Sequence, residues 1–535
     1  MTFRLPAPLQ KLHDWACRYE GVLLLITLIL LLRLPNFSEP YWYGDEAIYL
    51  TIGTAMRHGS VLYQEIIDHK TPLIYYFAMV PGQIWFRMLN FVWMSAATTF
   101  FYWLSKKLFP VWLAFASSVA FVLFTTLPWL EGHIPNGELF VMGFILAALW
   151  ILSKTKAFAL LISSDAREKK NHRKTWLWTV DERKKIFVAG VLSGLALLTK
   201  VPALLDAGAL GSIFFFIVVA YITPKTWKTV TLWFIQAGSI FVGGVFLPLV
   251  LSMVYFWLRG AIADYLQFGL LYNLHYSGNW TLPFTQEWLV AAFSLPGKAL
   301  VLGVVLLISI AWARWKPQQS EAAWIYFWTF AALFAATLSN RPYPHYLLQT
   351  ILPAAFALGI LLRKHSHWIA RVMMVDAIGA IIVVLILLDF GLYNTGEYYW
   401  RYIKMGSGQI SPQEYRHEFD WLVSQNEEIV PIIVENTQPS DRIFLWGTNA
   451  MLYAQAQRAP ATRFTVAFHV HDLDVYEQTM EEVRTAEPKF IVVMKSESEL
   501  PGLSEYLHQY YLVSAETNDM ILYRRTTLSS LDLLQ

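Results

Sequence analysis

Charged residues and cysteine are what this sequence has least of. Only 15% of its 535 residues are Asp, Glu, Lys or Arg, against about a quarter in an ordinary soluble protein. The formal net charge is only +2, so the chain lacks the basic excess of a nucleic-acid-binding protein, and we expect no nucleic acid partner. The single cysteine, Cys17, excludes an intramolecular disulfide and any cysteine-based metal cage.

Apolar and aromatic residues take the place of the missing charge. Hydrophobic residues make up 56% of the chain and aromatic residues 16%, including 23 tryptophans. This composition predicts an integral membrane protein. The apolar run over residues 21–34 has no small-residue cleavage site, and many apolar runs follow it, so we interpret it as a membrane span and not as a signal peptide.

A membrane-spanning helix needs roughly 20 mostly apolar residues. By this measure the sequence has about eleven candidates. They lie near residues 20–35, 87–105, 111–130, 138–153, 186–199, 203–223, 231–257, 290–312, 322–339, 346–362 and 370–392.

The distribution of lysine and arginine predicts the orientation of these spans. Residues 154–185 carry ten Lys or Arg against four Asp or Glu. This basic loop and the other basic turns fall on one side if the N-terminus is cytoplasmic and eleven spans follow. The opposite, extracytoplasmic side then holds five segments: 36–86, 131–137, 258–289, 340–345 and everything after about 393. We therefore predict a multi-pass protein of the plasma (inner) membrane.

The composition changes after residue 392. The last part of the chain has no long apolar run, but it contains the short strand-like runs "RIFLWG" (442–447) and "FIVVM" (490–494), separated by polar stretches compatible with helices. We predict a multi-pass α-helical membrane domain over residues 1–392 and a soluble, extracytoplasmic α/β domain over residues 393–535. Within the membrane domain, residues 36–86 form a large external loop with helices that lie along the membrane interface.

Two groups of polar residues in that external loop are candidates for chemistry. Asp45 and Glu46 stand together at its start, and His69 and Lys70 precede an apolar helix near its end. The acids are equally typical of the first turn of a helix, where the helix dipole favours them. Lys70 could simply extend its ammonium group to the interface. The functional alternatives are a general base with a supporting acid, and a cation that binds the phosphate of a lipid.

Further polar residues stand at the other predicted external edges. A lone histidine at such an edge is most often just an interfacial polar residue. Taken together, however, acids and cations on one side of one membrane suit a site for an anionic, membrane-embedded substrate. The residues concerned are Glu131, His133, Glu138, Lys200, Arg341, His345 and Tyr346.

The order of five motifs resembles a known family. The motifs "YGDEAIY", "DHKTPLIYY", "NGELF", "GLALLTK" and "RPYPHYLLQTILP" occur in this order within residues 20–365. Their order and predicted topology resemble the GT-C membrane glycosyltransferases, and especially the branch that contains protein O-mannosyltransferases and lipid A aminoarabinose transferases. Each motif is weak by itself, and the resemblance depends on the ordered set.

The resemblance implies a function and a role for each residue. Members of the family transfer a sugar from a polyprenyl-phosphate carrier at the outer leaflet to an acceptor, with inversion at the anomeric carbon. It implies that Asp45 is the general base and that Glu46 supports it. Binding of the donor phosphate or sugar is implied for Lys70, His69, Lys200, Arg341, His345 and Tyr346, and contact with acceptor or sugar for Glu138 and His133.

The chain also departs from the family pattern. The family often has two prolines after the lysine, whereas here Thr71 takes the first of these positions. Some relatives bind a divalent metal. Asp45, Glu46, Glu131, His133 and Glu138 have suitable ligand types, but their spacing implies no particular metal, and we expect no cofactor.

Three other functions remain open on sequence grounds. A ligase or polymerase that acts on lipid-linked glycans would use a similar carrier. A transporter usually has an internal repeat and ionisable groups near the middle of the membrane, and we find neither pattern. A non-catalytic scaffold would use its aromatic loops to bind lipid. Transfer of a single sugar from a lipid-phosphate donor would distinguish an enzyme of the predicted kind from all three.

Overall fold

A computed structural model describes residues 7–162, 178–273 and 280–526, with the backbone alone for residues 7–18. Residues 163–177, which are the middle of the predicted basic loop, and residues 274–279 of the predicted external segment 258–289 lie outside the described residues. The chain is mostly helical (69%) and carries a small C-terminal sheet. This agrees with the predicted fold class, although the number of membrane spans is not confirmed.

The chain divides into two compact units. The first unit consists of Met1–Leu34, Asn90–Leu251 and Tyr276–Thr395, and the second of Pro35–Leu89, Ser252–His275 and Gly396–Gln535. The second unit thus combines the long loop that follows the first helix with the C-terminal region. The sequence placed a domain boundary between residues 392 and 393, and in the contact pattern the corresponding boundary follows Thr395.

The first unit is built from long apolar helices. Such helices are hydrophobic around most of their circumference, as is typical of membrane spans. The helices wholly or mostly in this unit are Ala7–Arg33, Gln83–Leu108, Val111–Phe124, Gly137–Leu152, Lys156–Ile162, Val180–Leu197, Ala203–Tyr221, Trp227–Leu258, Glu287–Phe293, Leu295–Trp315, Ser320–Ala336, Leu348–Leu362 and Trp368–Leu387. Short 3-10 turns lie at Pro128–Leu130, Pro317–Gln319 and Pro344–Leu347.

Each of the eleven predicted spans contains a helix, but fewer are long and apolar enough to cross a membrane. Within the described residues six helical segments meet both criteria, and a seventh is obtained if the bent pair Gly137–Leu152 and Lys156–Ile162, which turns by 93°, counts as one span. Val111–Phe124 and Ser320–Ala336 are apolar but short. The six are Tyr19–Ser38, Ala203–Tyr221, Trp227–Leu258, Leu295–Trp315, Pro344–Leu362 and Trp368–Leu387.

The second unit combines short helices with a five-stranded sheet. The strands are β1 (Arg442–Trp446), β2 (Ala459–Pro460), β3 (Phe490–Met494), β4 (Tyr511–Glu516) and β5 (Met520–Arg525). Its helices are Gly44–Arg57, Leu73–Phe77, Ile262–Leu266, Thr395–Gly406, Pro412–His417, Trp421–Glu435, Ala450–Ala456, Ala467–Leu473, Tyr476–Ala486 and Leu503–Tyr510, with a 3-10 turn at Pro35–Ser38 and a π-helix at Gln267–Leu271.

The sheet has the strand order β2-β1-β3-β5-β4. β1 pairs in parallel with β2 and β3, and Leu445 lies opposite Val492. β5 is antiparallel to both β3 and β4. The runs that the sequence predicted as strands form β1 and β3, the two central parallel strands. Both are continuously apolar because helices follow or precede them and cover the sheet.

The helix Gly44–Arg57, which begins at the paired acids, packs within the second unit against the helix Ala450–Ala456 that follows β1. The Thr51 hydroxyl lies within hydrogen-bond distance of the Ala450 carbonyl oxygen (3.4 Å). On another side, Gly53 permits a close approach: a Cβ at this position would lie 2.2 Å from the carbonyl oxygen of Ala78. The position of the acids is thus determined by contacts with both the loop and the C-terminal region.

Candidate active site

The adjacent acids Asp45 and Glu46 lie in the first turn of the helix Gly44–Arg57. The helix dipole favours both carboxylates there, so the simple helix-terminus explanation applies to each. Their surroundings nevertheless differ. The Asp45 side chain is 28% exposed, whereas that of Glu46 is 1% exposed. Only Asp45 is therefore accessible to a substrate.

Glu46 belongs to a buried ion-pair network. Arg87 donates from Nε to Glu46 Oε1 (2.9 Å) and from Nη2 to Oε2 (2.7 Å), and Gln83 donates to the same Oε2 (3.0 Å). Arg87 Nη2 also lies 3.3 Å from Glu39 Oε2. A bidentate pair of this kind is strong and geometrically specific. Glu46 therefore anchors the start of the helix that carries Asp45.

Asp45 forms an ion pair with Lys70, 25 residues later in the chain. Lys70 Nζ lies 3.4 Å from Asp45 Oδ1, and the Tyr49 hydroxyl donates a hydrogen bond to Asp45 Oδ2 (3.2 Å). The Lys70 ammonium group also lies 4.9 Å from the centroid of the Tyr49 ring, which is within the range of a cation–π interaction. Asp45, Tyr49 and Lys70 thus form one compact set in which a carboxylate and a cation are held side by side.

Two tyrosines fix the backbone of Lys70. Tyr63 donates from its hydroxyl to the Lys70 carbonyl oxygen (2.7 Å), and the Lys70 amide donates to the Tyr75 hydroxyl (3.2 Å). Tyr75 in turn donates to Asp68 Oδ2 (2.6 Å), which lies 3.8 Å from Lys70 Nζ. Burial raises the pKa of Asp68, but Lys70 and His69 outweigh burial and hold that pKa well below its usual range. Lys70 is therefore flanked by two carboxylates, of which the ionised Asp68 is completely buried.

His69 points to the other side of Asp68. Its Nδ1 atom lies 2.9 Å from Asp68 Oδ1. Burial lowers the pKa of His69, and the neighbouring Asp68 carboxylate opposes that shift. A second imidazole, that of His469 from the C-terminal region, approaches the same carboxylate oxygen, with its Nε2 atom 3.3 Å from Asp68 Oδ1. The two histidines therefore face one oxygen of Asp68, and Lys70 faces the other.

The first unit contains a second acid–lysine pair, which belongs to a separate set of predicted residues. Glu138 lies in the first turn of the helix Gly137–Leu152, and its Oε1 atom pairs with Lys200 Nζ. The Glu138 side chain is 3% exposed and that of Lys200 is 14% exposed. Lys200 Nζ also lies 4.4 Å from the centroid of the Tyr346 ring. Three predicted residues from distant parts of the chain are thus in contact.

Tyr346 and its neighbour His345 lie in a 3-10 turn that also contacts the loop after Phe124. His345 Nδ1 pairs with Glu131 Oε2, and both side chains are 5% exposed. Glu131 has a left-handed backbone conformation (φ 57°), which is uncommon and strained for a residue other than glycine. Arg33 stabilises this loop by donating to the carbonyl oxygens of Gly132 and His133, both at 2.8 Å.

The remaining two predicted residues of the first unit are His133 and Arg341. The His133 side chain is buried, and its backbone carbonyl is held by Arg33. The Arg341 guanidinium lies 5.0 Å from the centroid of the Trp280 ring. The structure thus groups the predicted residues as Asp45, His69 and Lys70 in one unit and as Glu138, Lys200, His345 and Tyr346 in the other. Their roles stay predictions.

Four residues without a predicted role contribute to these sets. Asp68 opens the motif "DHKTPLIYY", directly before His69, and this position is a sequence signal for it. Glu131 stands at a predicted external edge of the membrane domain, which is the corresponding signal for that residue. Tyr49 lies one helical turn after Asp45, so helical periodicity could have indicated it. His469 had no sequence signal, because it is some 400 positions from Asp68 and reaches it only through the tertiary fold.

Comparison with solved structures identifies the fold. The structure is similar to that of ArnT from Cupriavidus metallidurans bound to undecaprenyl phosphate, with a TM-score of 0.55 and 13% sequence identity, over 95% of this chain and 99% of that chain. The apo state of the same protein gives 0.52 and 14%, over 95% and 98%. Archaeal oligosaccharyltransferase AglB from Archaeoglobus fulgidus is more distant, with a TM-score of 0.38 and 12% identity, over 96% of this chain and 75% of that chain.

No family model and no curated protein sequence matches the chain. At these low identities the likeness to solved structures concerns the fold alone. It nevertheless extends over nearly the whole length of ArnT. The similarity to GT-C enzymes that the five ordered motifs indicated is thus confirmed by a comparison that does not depend on those motifs. The chain has the fold of ArnT.

Proposed function

We propose that the protein is an inverting glycosyltransferase that transfers a monosaccharide from a polyprenyl-phosphate donor to an extracytoplasmic lipid, glycan or protein. The observation that carries this proposal is one ion pair: the partly exposed Asp45 carboxylate lies 3.4 Å from the ammonium group of the largely buried Lys70. The fold it shares with ArnT, a protein solved with undecaprenyl phosphate bound, supports a lipid-phosphate donor.

An inverting displacement needs a base for the acceptor and a cation for the leaving phosphate, and this set contains both residue types. Asp45 takes the proton of the acceptor hydroxyl, and the acceptor oxygen attacks the anomeric carbon. The bond from that carbon to the phosphate oxygen breaks with inversion, and the electron pair leaves with the polyprenyl phosphate. Since phosphate is a good leaving group, a cation at its oxygens can replace a general acid, and Lys70 supplies that cation. The hydrogen bond from Tyr49 orients the Asp45 carboxylate.

The second set of residues supports recognition of the donor. In the first unit, Lys200 and His345 are each paired with a buried acid, and Tyr346 provides an aromatic face. We propose that Lys200, His345 and Tyr346 contact the sugar or the phosphate of the donor. We propose that Glu138 contacts the sugar or the acceptor. An apolar groove of about 300 Å³ in the same unit is lined by Leu130 and Leu347, among others. Such a lining suits an isoprenoid chain.

The membrane topology of the proposal follows from the charge distribution. The N-terminus is cytoplasmic, and the reaction takes place on the extracytoplasmic side of the plasma membrane, where the lipid-linked sugar is displayed. The acceptor is also on that side. The α/β region after residue 395, which forms a compact unit with the Asp45 loop, is suited to contribute to acceptor binding.

The decisive experiment compares the wild type with Asp45→Asn. Purified protein is given a panel of polyprenyl-phosphate sugars and a membrane extract as acceptor, and release of free polyprenyl phosphate is measured. We expect the wild type to consume one donor and the variant to do so at least ~100-fold more slowly, the size expected for loss of a general base. Asp474→Asn is the matched control, because Asp474 is an exposed aspartate of the same unit.

Two results would contradict the proposal. If Asp45→Asn is folded and turns over as the wild type does, Asp45 is only a helix-terminus acid. If the wild type consumes no monosaccharide donor but uses a diphosphate-linked oligosaccharide, the protein is a ligase of lipid-linked glycans. Movement of a solute without donor consumption would instead indicate a transporter.

A further inference from the structure

Three buried metal-ligand side chains meet in the second unit. They are Asp68, His69 and His469, and their ligand atoms all lie within 4.8 Å of one another. Asp68 Oδ1 is the centre of the set, at 2.9 Å from His69 Nδ1 and 3.3 Å from His469 Nε2. The two imidazole rings are 5.8 Å apart and nearly perpendicular, with an interplanar angle of 75°. One carboxylate oxygen and two imidazole nitrogens therefore converge on one point.

His469 has an unexplained environment for a histidine. The residue is 2% exposed. Within the described residues its Nδ1 atom makes no hydrogen bond, and its Nε2 atom lies 3.3 Å from Asp68 Oδ1. A buried polar atom without a hydrogen bond costs roughly 1–3 kcal/mol. A ligand at this position that accepts an imidazole lone pair would remove that cost.

The dimensions fit a small metal ion. Zinc binds imidazole nitrogen at about 2.0–2.1 Å and carboxylate oxygen at about 2.0–2.2 Å in a tetrahedral arrangement. Such bond lengths separate neighbouring ligand atoms by about 3.4 Å, which follows from tetrahedral geometry. The observed separations of 2.9 and 3.3 Å, with an upper bound of 4.8 Å, lie around that value. Three protein ligands would leave a fourth position for water.

The Asp68 carboxylate and the His69 backbone are held by further hydrogen bonds. Tyr75 donates to Asp68 Oδ2, so that Oδ1 is the oxygen left to face the histidines. Asn273 donates to the backbone carbonyl of His69 (2.7 Å). Contacts of this kind orient the ligands and tune the affinity of a metal site. Lys70 lies beside Oδ2, away from the converging atoms.

The backbone around the three side chains is also well anchored. The Ile67 amide donates to the carbonyl oxygen of Arg463 (2.8 Å), and the Arg463 guanidinium donates to the carbonyl oxygen of Tyr63 (2.8 Å). The segment that precedes Asp68 is therefore joined to the segment that leads to His469. Backbone contacts of neighbouring residues therefore hold Asp68 and His469 near each other.

We propose that Asp68, His69 and His469 bind one divalent transition-metal ion of the zinc class. Two imidazoles and a carboxylate favour such an ion over magnesium or calcium, which prefer oxygen ligands. The ion joins the loop that carries Lys70 to the C-terminal α/β region and so fixes the position of the Lys70 backbone. This assigns His69 to the metal and not to the sugar donor. The proposal is independent of the reaction that the protein catalyses.

The test measures metal binding directly. The full-length protein is purified in detergent, stripped with a chelator and titrated with Zn²⁺, and bound zinc is counted by mass spectrometry and calorimetry. We expect one equivalent for the wild type and at least a ~100-fold weaker affinity for His469→Ala, since loss of an outer contact alone costs about 10–100-fold. Asp68→Asn should weaken zinc binding by a similar factor.

His471→Ala is the matched control. His471 lies on the same helix, Ala467–Leu473, but it hydrogen-bonds to Tyr476 and Glu497 and is not part of the set. The control should bind one zinc ion with the affinity of the wild type. If the wild type retains no zinc after washing, or if His469→Ala and His471→Ala bind it equally, the proposal is wrong.

Thermal unfolding distinguishes loss of the site from loss of the fold. Zinc should raise the unfolding temperature of the stripped wild type and of His471→Ala, because a ligand that binds only the folded state stabilises it. The same addition should leave His469→Ala unchanged, while that variant still unfolds cooperatively. Equal stabilisation of all three proteins would contradict the assignment of His469 as a ligand.

Discussion

The two acid–lysine pairs of this protein each combine a carboxylate, a lysine and a tyrosine, but in different environments. Asp45 pairs with Lys70 beside Tyr49, and Glu138 pairs with Lys200 beside Tyr346. In both sets the acid begins a helix and the lysine lies over a tyrosine ring. The Asp45 side chain is 28% exposed, however, whereas the Glu138 side chain is 3% exposed.

This difference predicts different consequences of mutation. The Asp45 carboxylate is partly exposed and keeps hydration when its partner is lost, so its substitution should cost little stability, about 0–1 kcal/mol. A buried pair cannot lose one partner without leaving an uncompensated charge in a medium of low polarity. Substitution of Asp45 should therefore affect turnover, and loss of one partner from the Glu138–Lys200 pair should affect stability.

The largest stability effect should come from the buried pair. Lys200→Met leaves Glu138 unpaired, and we expect a loss of about 3–5 kcal/mol in the free energy of unfolding. Adding Glu138→Gln should recover a large part of that loss, because the double variant has no buried charge. Unfolding in detergent with increasing denaturant measures both. Equal stability of the wild type and Lys200→Met would remove the distinction between the pairs.

A smaller effect, on the reaction, is expected at the Asp45–Lys70 pair. Lys70→Met removes the cation proposed to bind the donor phosphate. Hydrogen bonds to charged groups are worth about 1.5–3 kcal/mol, so kcat/KM should fall by about 10- to 150-fold. The measurement is steady-state kinetics with varied donor. Lys495→Met is a control, because Lys495 lies in the same unit and pairs with the exposed Glu516. An equal loss in both variants would argue against a specific role for Lys70.

The smallest effect should come from Tyr49→Phe. This change removes the hydrogen bond to Asp45 Oδ2 but keeps the ring beneath the Lys70 ammonium group. We expect turnover to fall by about 2- to 12-fold, the equivalent of about 0.5–1.5 kcal/mol. Tyr49→Leu, which also removes the ring, should fall further. If Tyr49→Phe loses as much as Tyr49→Leu, the hydroxyl alone matters and the cation–π contact does not contribute.

The sequence predicted local features of the fold well. The apolar runs at 442–447 and 490–494 correspond to β1 and β3, because a buried parallel strand needs a continuous apolar sequence. Each predicted span likewise contains a helix. The number of membrane crossings is harder to predict, since a segment such as Ser320–Ala336 is apolar because it packs against other helices, and this is indistinguishable in sequence from packing against lipid.

The sequence predicted which residues belong to the candidate site, but not which of them form ion pairs with each other. Motif order identified Asp45, Lys70, Glu138 and Lys200, yet their separations of 25 and 62 residues along the chain carry no information about contact. Only the family resemblance distinguished Asp45 from Glu46, because both are carboxylates in the first turn of one helix. One is accessible and the other is held by Arg87, because successive residues of a helix point in different directions.

By itself, then, the sequence determined the membrane class, the helices, the central strands and the residue types of both acid–lysine pairs. Each of these depends on properties of short segments: apolar length, periodicity and the preference of acids for helix starts. The tertiary structure alone decided that Asp45 is partly exposed and Glu46 is buried. It also decided that each lysine lies over a tyrosine ring and that His469 lies beside Asp68 and His69. Those features depend on contacts between segments that are distant in the chain, and only the folded structure brings such segments together.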